Sequence, residues 1–184
     1  MRAFNRLHEL RMENDEHRYF MQDNQERFDK LANRHEDGTA PKAISAFNLF
    51  QTPKPLAERM AGMIPKNCEI VLEPSAGLGR IYSELERHNA GTHKILVEQS
   101  KDCAAELYKM MEGKNASLIV GDFLEIEPHS VDAVVMNPPF KMRRDIKHIL
   151  KALEWVRSGG VLVALCLAGN IREKKLKPLC EVWE

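Results

Sequence analysis

The chain has 184 residues and a mass of 21.1 kDa, room for one domain with an appendage, and its hydrophobic fraction of 43% suffices for a packed core. Lys+Arg and Asp+Glu both number 27, so no global field draws in a polyanion and any nucleic-acid contact must come from a local patch. Cys68, Cys103, Cys166 and Cys180 form no C-x-x-C pair, the chain is charged from Arg2 onward, and no apolar run approaches about 18 residues; disulfides, zinc, a signal peptide and a membrane span are all unexpected, and a soluble cytoplasmic protein is predicted.

Residues 2 to about 35 mix charges of both signs with Phe4, Leu7 and Leu10, then Met21, Phe28 and Leu31, at roughly helical spacing. One or two surface helices are expected there, as an amino-terminal extension over 1–45. Glu36-Asp37-Gly38-Thr39-Ala40-Pro41 breaks the pattern, and a compact domain is expected over 46–184. Residues 53–64 carry Leu56, Met60, Met63 and Ile64 as a helix entered through prolines. A first strand is predicted at 69–73; the glycine-containing turn after it opens a helix over about 80–88, with Gly91 positioned for a left-handed C-cap. The second strand is 94–98. Ser100 can cap a helix bearing Ala104, Leu107, Met110 and Met111, before a third strand at 118–120 and a fourth at 131–136. Residues 145–156 put Ile146, Ile149, Leu150, Leu153 and Val156 on one helical face, and Ser158-Gly159-Gly160 leads into a fifth strand at 161–165.

Strands apolar on both faces, alternating with amphipathic helices, imply an α/β fold: a doubly wound, mostly parallel sheet with right-handed crossovers. Ligands of such sheets bind beyond the carboxyl ends of the strands near the switch point, where Glu73, Glu98, Asp122 and Asn137 all fall.

Asn137-Pro138-Pro139-Phe140, directly after the fourth strand, forms a clamp for a planar group bearing an –NH2. The Asn137 side-chain carbonyl and the Pro138 backbone carbonyl can each accept a hydrogen bond from the amine, while the Phe140 ring covers its flat face. A tight turn with a buried ring is the plainer alternative, but two prolines are an odd choice for that alone. Upstream, Glu73-Pro74-Ser75-Ala76-Gly77-Leu78-Gly79-Arg80 has glycines that let backbone pass close to a ligand, followed by a helix offering N–H groups. Tyr82 stands where a dinucleotide fingerprint would want its third glycine, and the acidic Glu73 disfavours a phosphate nearby, so a pyrophosphate loses ground. Glu98 is positioned to accept from both hydroxyls of a ribose, and Asp122 to accept from the amine of an adenine whose ring Phe123 would flank. Each carboxylate alone is ordinarily just solvated; in ordered combination they describe an adenosine without phosphates. Thr52 and Pro53 also suit a plain N-cap and first-turn proline.

With these motifs in this order, the chain over about 47–168 resembles the class I S-adenosylmethionine-dependent methyltransferases, and among them the amino-methylating group related to adenine-specific DNA methyltransferases. The resemblance implies a Rossmann-like methyltransferase fold and S-adenosyl-L-methionine as cofactor. It implies that Gln51, Thr52 and Pro53 meet the cofactor's methionine end and that Glu73, Ser75, Ala76, Gly77 and Gly79 border its methionine part. It further implies that Glu98 holds the ribose, with Gln99 beside it in the cofactor site, that Asp122 and Phe123 address the adenine, and that Asn137, Pro138, Pro139 and Phe140 are the catalytic motif. Within this resemblance, Leu72-Glu73-Pro74-Ser75-Ala76-Gly77 favours the DNA-adenine branch over glutamine methylation of release factors. Lys141 and Arg143 follow the clamp and are expected to contact a substrate phosphate; Arg144, Lys147 and Lys151 read as a solvated helix face, and the histidines as incidental, with no metal.

Family members add an antiparallel strand pair after the fifth strand, which is not found before Glu184; an open sheet edge is expected, to be covered by a second copy of the chain, a partner chain or the amino-terminal helices. The expected function is methyl transfer to an exocyclic amine of nucleic acid, with DNA adenine favoured over RNA. Methylation of RNA or of a protein glutamine amide, and an inactive cofactor-binding interaction module, are the alternatives.

Overall fold

The computed structural model describes residues 51–181. The extension expected over 1–45 lies outside them. The elements are α1 (Lys54–Gly62), β1 (Ile70–Glu73), α2 (Arg80–His88), β2 (His93–Glu98), α3 (Lys101–Met111), β3 (Ala116–Val120), β4 (Val131–Met136), α4 (Arg144–Leu153), β5 (Val156–Ala164) and α5 (Asn170–Leu176), with short 3-10 turns at Phe123–Glu125, Lys141–Arg143 and Lys177–Leu179. Local chemistry explains the boundaries. Pro53 caps α1 with φ −54°, a value its ring imposes, and the Ser100 hydroxyl accepts from Cys103 N–H to start α3.

The strand order is β3-β2-β1-β4-β5 and every pairing is parallel. Among the described residues the chain enters the sheet at β1, builds outward through β2 and β3, then returns to the other side of β1 for β4 and β5. Right-handed crossovers in opposite directions put α2 and α3 on one face and α4 on the other, as doubly wound topology requires. Register and alternation fix the layers. Val71 aligns with Ala133, and both pack with Val135 under Ala57, Met60, Ala61, Ile81 and Leu85 of α1 and α2. Leu72, Val134 and Met136, fully buried, face the opposite layer.

Three local expectations are corrected. Gly91 is not left-handed; α2 ends at Asn89 (φ −133°), whose carbonyl accepts from Thr92 N–H in a turn. Val156 belongs to β5 rather than to the preceding helix, because α4 ends at Leu153 and Val156 pairs with Val131. Ser158-Gly159-Gly160 is consequently a bulge inside β5 instead of a lead-in. Both glycines are needed there, since Gly159 has φ +75° and a Cβ on Gly160 would lie 2.6 Å from the Asp132 carbonyl oxygen. Asp132 braces this end of the sheet by accepting from Ile70 N–H at 2.8 Å and Glu69 N–H at 2.7 Å and pairing with Arg157. Those bonds, foremost that from Ile70, hold its carboxyl below the usual range.

After β5 the chain forms α5, whose Arg172 forks onto the buried Asp145 at the start of α4, with Nη2 to Oδ1 at 3.0 Å. β3 and β5 are the two edges of the sheet among the described residues. No helix among those residues is long and apolar enough to cross a membrane, and none of their acidic, cysteine or histidine side chains cluster as metal ligands.

Candidate active site

β2, β1 and β4 are adjacent, so Glu73 at the end of β1, Glu98 at the end of β2 and Asn137 just past β4 emerge side by side from the carboxyl edge of the sheet. The turn between β1 and α2 folds over this edge. Ala76 N–H donates to the Val97 carbonyl at 3.0 Å, Gly77 N–H to Glu98 Oε2 at 2.7 Å, and Gly79 N–H to the Ala76 carbonyl at 2.8 Å. Gly77 and Gly79 have φ of 55° and 74°, and a Cβ on Gly79 would meet Leu107 Cδ2 at 2.9 Å, so glycine is dictated by backbone shape and by the approach of α3. The Ser75 hydroxyl donates to the Pro74 carbonyl at 2.7 Å. Three of the turn's N–H groups, those of Ala76, Gly77 and Gly79, are thus spent within the fold, which rigidifies it. Glu98 Oε1 accepts from Ser100 N–H at 2.7 Å, and each of its oxygens keeps a second lone pair for a hydroxyl donor. Gln99 beside it is exposed.

Glu73 is 1% exposed, and its Oε2 has no hydrogen-bond partner. Burial, with the neighbouring Glu98 charge adding to it, pushes this carboxyl well up, and a hydrogen bond from the Tyr82 backbone only partly opposes the shift. An unsatisfied buried carboxyl oxygen at the carboxyl edge of the sheet is suited to a cation bearing N–H donors.

Across the switch point, Asn137 Nδ2 donates to Thr52 Oγ1 at 3.1 Å, and Thr52 is 4% exposed. Arg80 Nη2, at the start of α2, donates to Gln51 Oε1 at 3.1 Å. The Gln51-Thr52-Pro53 segment is thereby tied both to the clamp and to the helix after the glycine turn, bringing together three motifs that the sequence separates. Pinning Nδ2 on Thr52 sets Oδ1 as the amide's acceptor end. Pro138 is buried, Pro139 and Phe140 half-buried, and because Asn137 and Pro138 each precede a proline the chain leaves β4 extended. Thr52→Val keeps the shape and removes the acceptor; with the amide loosened, kcat for any chemistry at Asn137 should fall about 10- to 100-fold, while affinity for a ligand held by Glu73 and Glu98 changes little. Single-turnover kinetics beside calorimetry will check this.

Asp122 and Phe123 are also bound into the fold. Asp122 Oδ1 accepts from Leu124 N–H at 3.1 Å and Oδ2 from Arg144 Nη2 at 2.6 Å, and, as at Glu98, each oxygen keeps a second lone pair. Burial pushes the Asp122 carboxyl up, but the Arg144 and Leu124 hydrogen bonds and the Arg144 charge more than offset it and hold the group below its usual range. The Phe123 ring, expected to flank an adenine, is 2% exposed and packs on His148 and Trp155, at centroid distances of 5.8 Å and 5.7 Å. Its packing partners come from α4 and the segment just after it, which draw the ring into the core. His148, read as incidental, is a core residue that bonds the Arg144 carbonyl through Nδ1 at 2.9 Å, and burial lowers its pKa. Arg144 is likewise no bystander. It ties the helix after the clamp to the turn after β3, a contact with no sequence signal because charge order alone cannot say which basic residue folds back. Lys141 and Arg143 lie in the 3-10 turn after Phe140 and are exposed.

Solved structures share this fold. PH1948 from Pyrococcus horikoshii, provisionally assigned as an RNA methyltransferase, superposes with a TM-score of 0.61 at 23% identity over 75% of this chain and 74% of its own. Trm5 from Methanocaldococcus jannaschii, solved with adenosine, gives 0.58 at 20% identity over 73% of this chain and 42% of its own. The chain has a Rossmann-like methyltransferase fold. The glycopeptide N-methyltransferase MtfA, solved with S-adenosyl-L-methionine, gives 0.51 at 18% identity over 66% of this chain, which spans 58% of that enzyme. No family model and no curated protein matches the sequence.

Proposed function

We propose that this protein is an S-adenosyl-L-methionine-dependent methyltransferase acting on an exocyclic amine of RNA. The observation that carries the reading is the Asn137 to Thr52 hydrogen bond, which fixes a carboxamide acceptor at the carboxyl end of β4. The residues fit the cofactor. Its ammonium group matches the orphaned Glu73 oxygen, its ribose hydroxyls match the remaining lone pairs of Glu98, and the glycine turn removes the side chains that would block it. The cofactor supplies a methyl group bonded to a sulfonium sulfur that departs neutral.

Everything else falls to the chain. An exocyclic amine of adenine is a poor nucleophile because its lone pair is delocalised into the ring. Accepting its protons at Asn137 Oδ1 and the Pro138 carbonyl favours a pyramidal nitrogen and localises that pair; Phe140 stacks on the base. The new N–C bond forms as the S–C bond breaks, and the methylated nitrogen then releases a proton to solvent. Alignment and fixed dipoles supply the acceleration, since no strong base is needed once the nitrogen has become acidic.

RNA is preferred here to DNA, the polymer favoured on sequence grounds; what supports it is that PH1948 is provisionally assigned as an RNA methyltransferase and that a tRNA m1G37 methyltransferase from M. jannaschii shares the fold with a TM-score of 0.52 at 20% identity. Incubation with radiolabelled S-adenosyl-L-methionine and, separately, RNA, DNA and cell protein tests the reading. Label in RNA is expected; label confined to DNA restores the adenine-in-DNA reading, label confined to protein a glutamine-amide target, and label in none an inactive binding module. Lys141 and Arg143 are expected to contact phosphate. Lys141→Ala with Arg143→Ala should lessen the slope of log affinity against log salt by about 1.4 on single-stranded RNA, and an unchanged slope removes them from the interface.

A further inference from the structure

Two consecutive non-glycine residues after the clamp, Met142 (φ 54°) and Arg143 (φ 59°), are left-handed, and they are the only such residues described. A left-handed conformation is costly for a side chain with a Cβ, and two in succession persist only where something is gained. The result is one tight turn, closed by Arg143 N–H donating to the Phe140 carbonyl at 3.3 Å, with Met142 at its apex. Met142 is 84% exposed, the most exposed large hydrophobic residue described. Packing therefore does not explain the strain. What the backbone achieves is to hold an unbranched apolar side chain out in solvent, two residues beyond the stacking ring and between the two cations Lys141 and Arg143.

We propose that Met142 is a wedge: it fills the space that a target base leaves in its stack when it is turned into the Asn137-to-Phe140 clamp. This rests on the reading of the site as an RNA amine methyltransferase. An enzyme working on a base must take it out of the stack, and apolar side chains including Met are suited to entering the gap, because they replace lost base contacts without needing hydrogen-bond partners. The flanking Lys141 and Arg143 are exposed and carry the charge that contact with phosphates beside that gap calls for. The unbranched thioether adapts to whichever neighbouring bases it meets.

Met142→Gly separates the role from that of a structural residue. Glycine accepts the left-handed backbone and the side chain touches little, so the variant should fold, with a melting temperature equal to or above that of the wild type. Methyl transfer is then measured into total tRNA folded with magnesium and into the same tRNA cut to short single-stranded fragments. The ratio of folded to fragment activity should drop at least about tenfold, because a base already unstacked needs no wedge. An unchanged ratio overturns the wedge, whether total activity is kept or lost. A lowered melting temperature also overturns it, by making Met142 a packing residue. Label in neither RNA from the wild-type enzyme instead overturns the RNA reading itself, and the wedge falls with it.

Discussion

Asn137→Ala should reduce methyl transfer by about 100- to 1000-fold, the loss typical of removing one preorganised polar group that faces the charge developing in a transition state. The substitution deletes an acceptor whose orientation Thr52 fixes, and leaves Glu73, Glu98 and the glycine turn untouched. Cofactor affinity should accordingly stay within a few-fold of wild type. Phe140→Ala should act on the same step from the other side, by removing the ring that covers the base, and should also spare the cofactor. Isothermal calorimetry with S-adenosyl-L-methionine, beside single-turnover transfer into RNA, separates the two functions. Loss of cofactor binding in both variants would refute the division of roles between the ends of β1, β2 and β4.

The placement of these residues could be read from the sequence because strand ends follow one another in linear order. Once 131–136 is a strand, the residue after it emerges at the carboxyl edge of a parallel sheet, and that is where Asn137 lies. The same logic located Glu73 and Glu98. It says nothing of side chains whose direction is set by tertiary partners. Nothing local in Asp122-Phe123 says that Arg144 returns to pair with the carboxylate, or that the ring packs on Trp155 and His148. The need for glycine in the bulge was hidden for a similar reason: the Asp132 carbonyl on the neighbouring strand lies where a Gly160 side chain would begin, an approach absent from the linear pattern. The left-handed Met142 is hidden too, because nothing in Lys141-Met142-Arg143 has the glycine or asparagine that usually marks such a backbone.

Glu73→Gln should divide stability from binding more sharply than any other change. Glu73 is buried with an unpartnered oxygen, and burial first, then the charge of Glu98, raise its pKa. The folded protein therefore keeps this proton at pH values where the unfolded chain has released it. The associated stability is complete below the unfolded pKa and is lost as pH climbs from the ordinary carboxylate range through the raised folded value. Glutamine carries no such proton, so the variant's thermal stability without cofactor should lack this decline. Its advantage over wild type should widen with rising pH, towards about 1–3 kcal/mol, the cost of a buried group left unsatisfied. Binding should move the other way. A cofactor ammonium that offsets the Glu73 charge is left facing a neutral amide, and affinity should fall about 10- to 100-fold, the equivalent of one charge-assisted hydrogen bond. Thermal denaturation from pH 5 to 9, with and without S-adenosyl-L-methionine, measures both effects in one series. A variant that gains as much from the cofactor as the wild type would show that Glu73 is not its cation acceptor, whatever happens to stability; a variant less stable than wild type at every pH would show that the carboxyl has a partner in the folded protein.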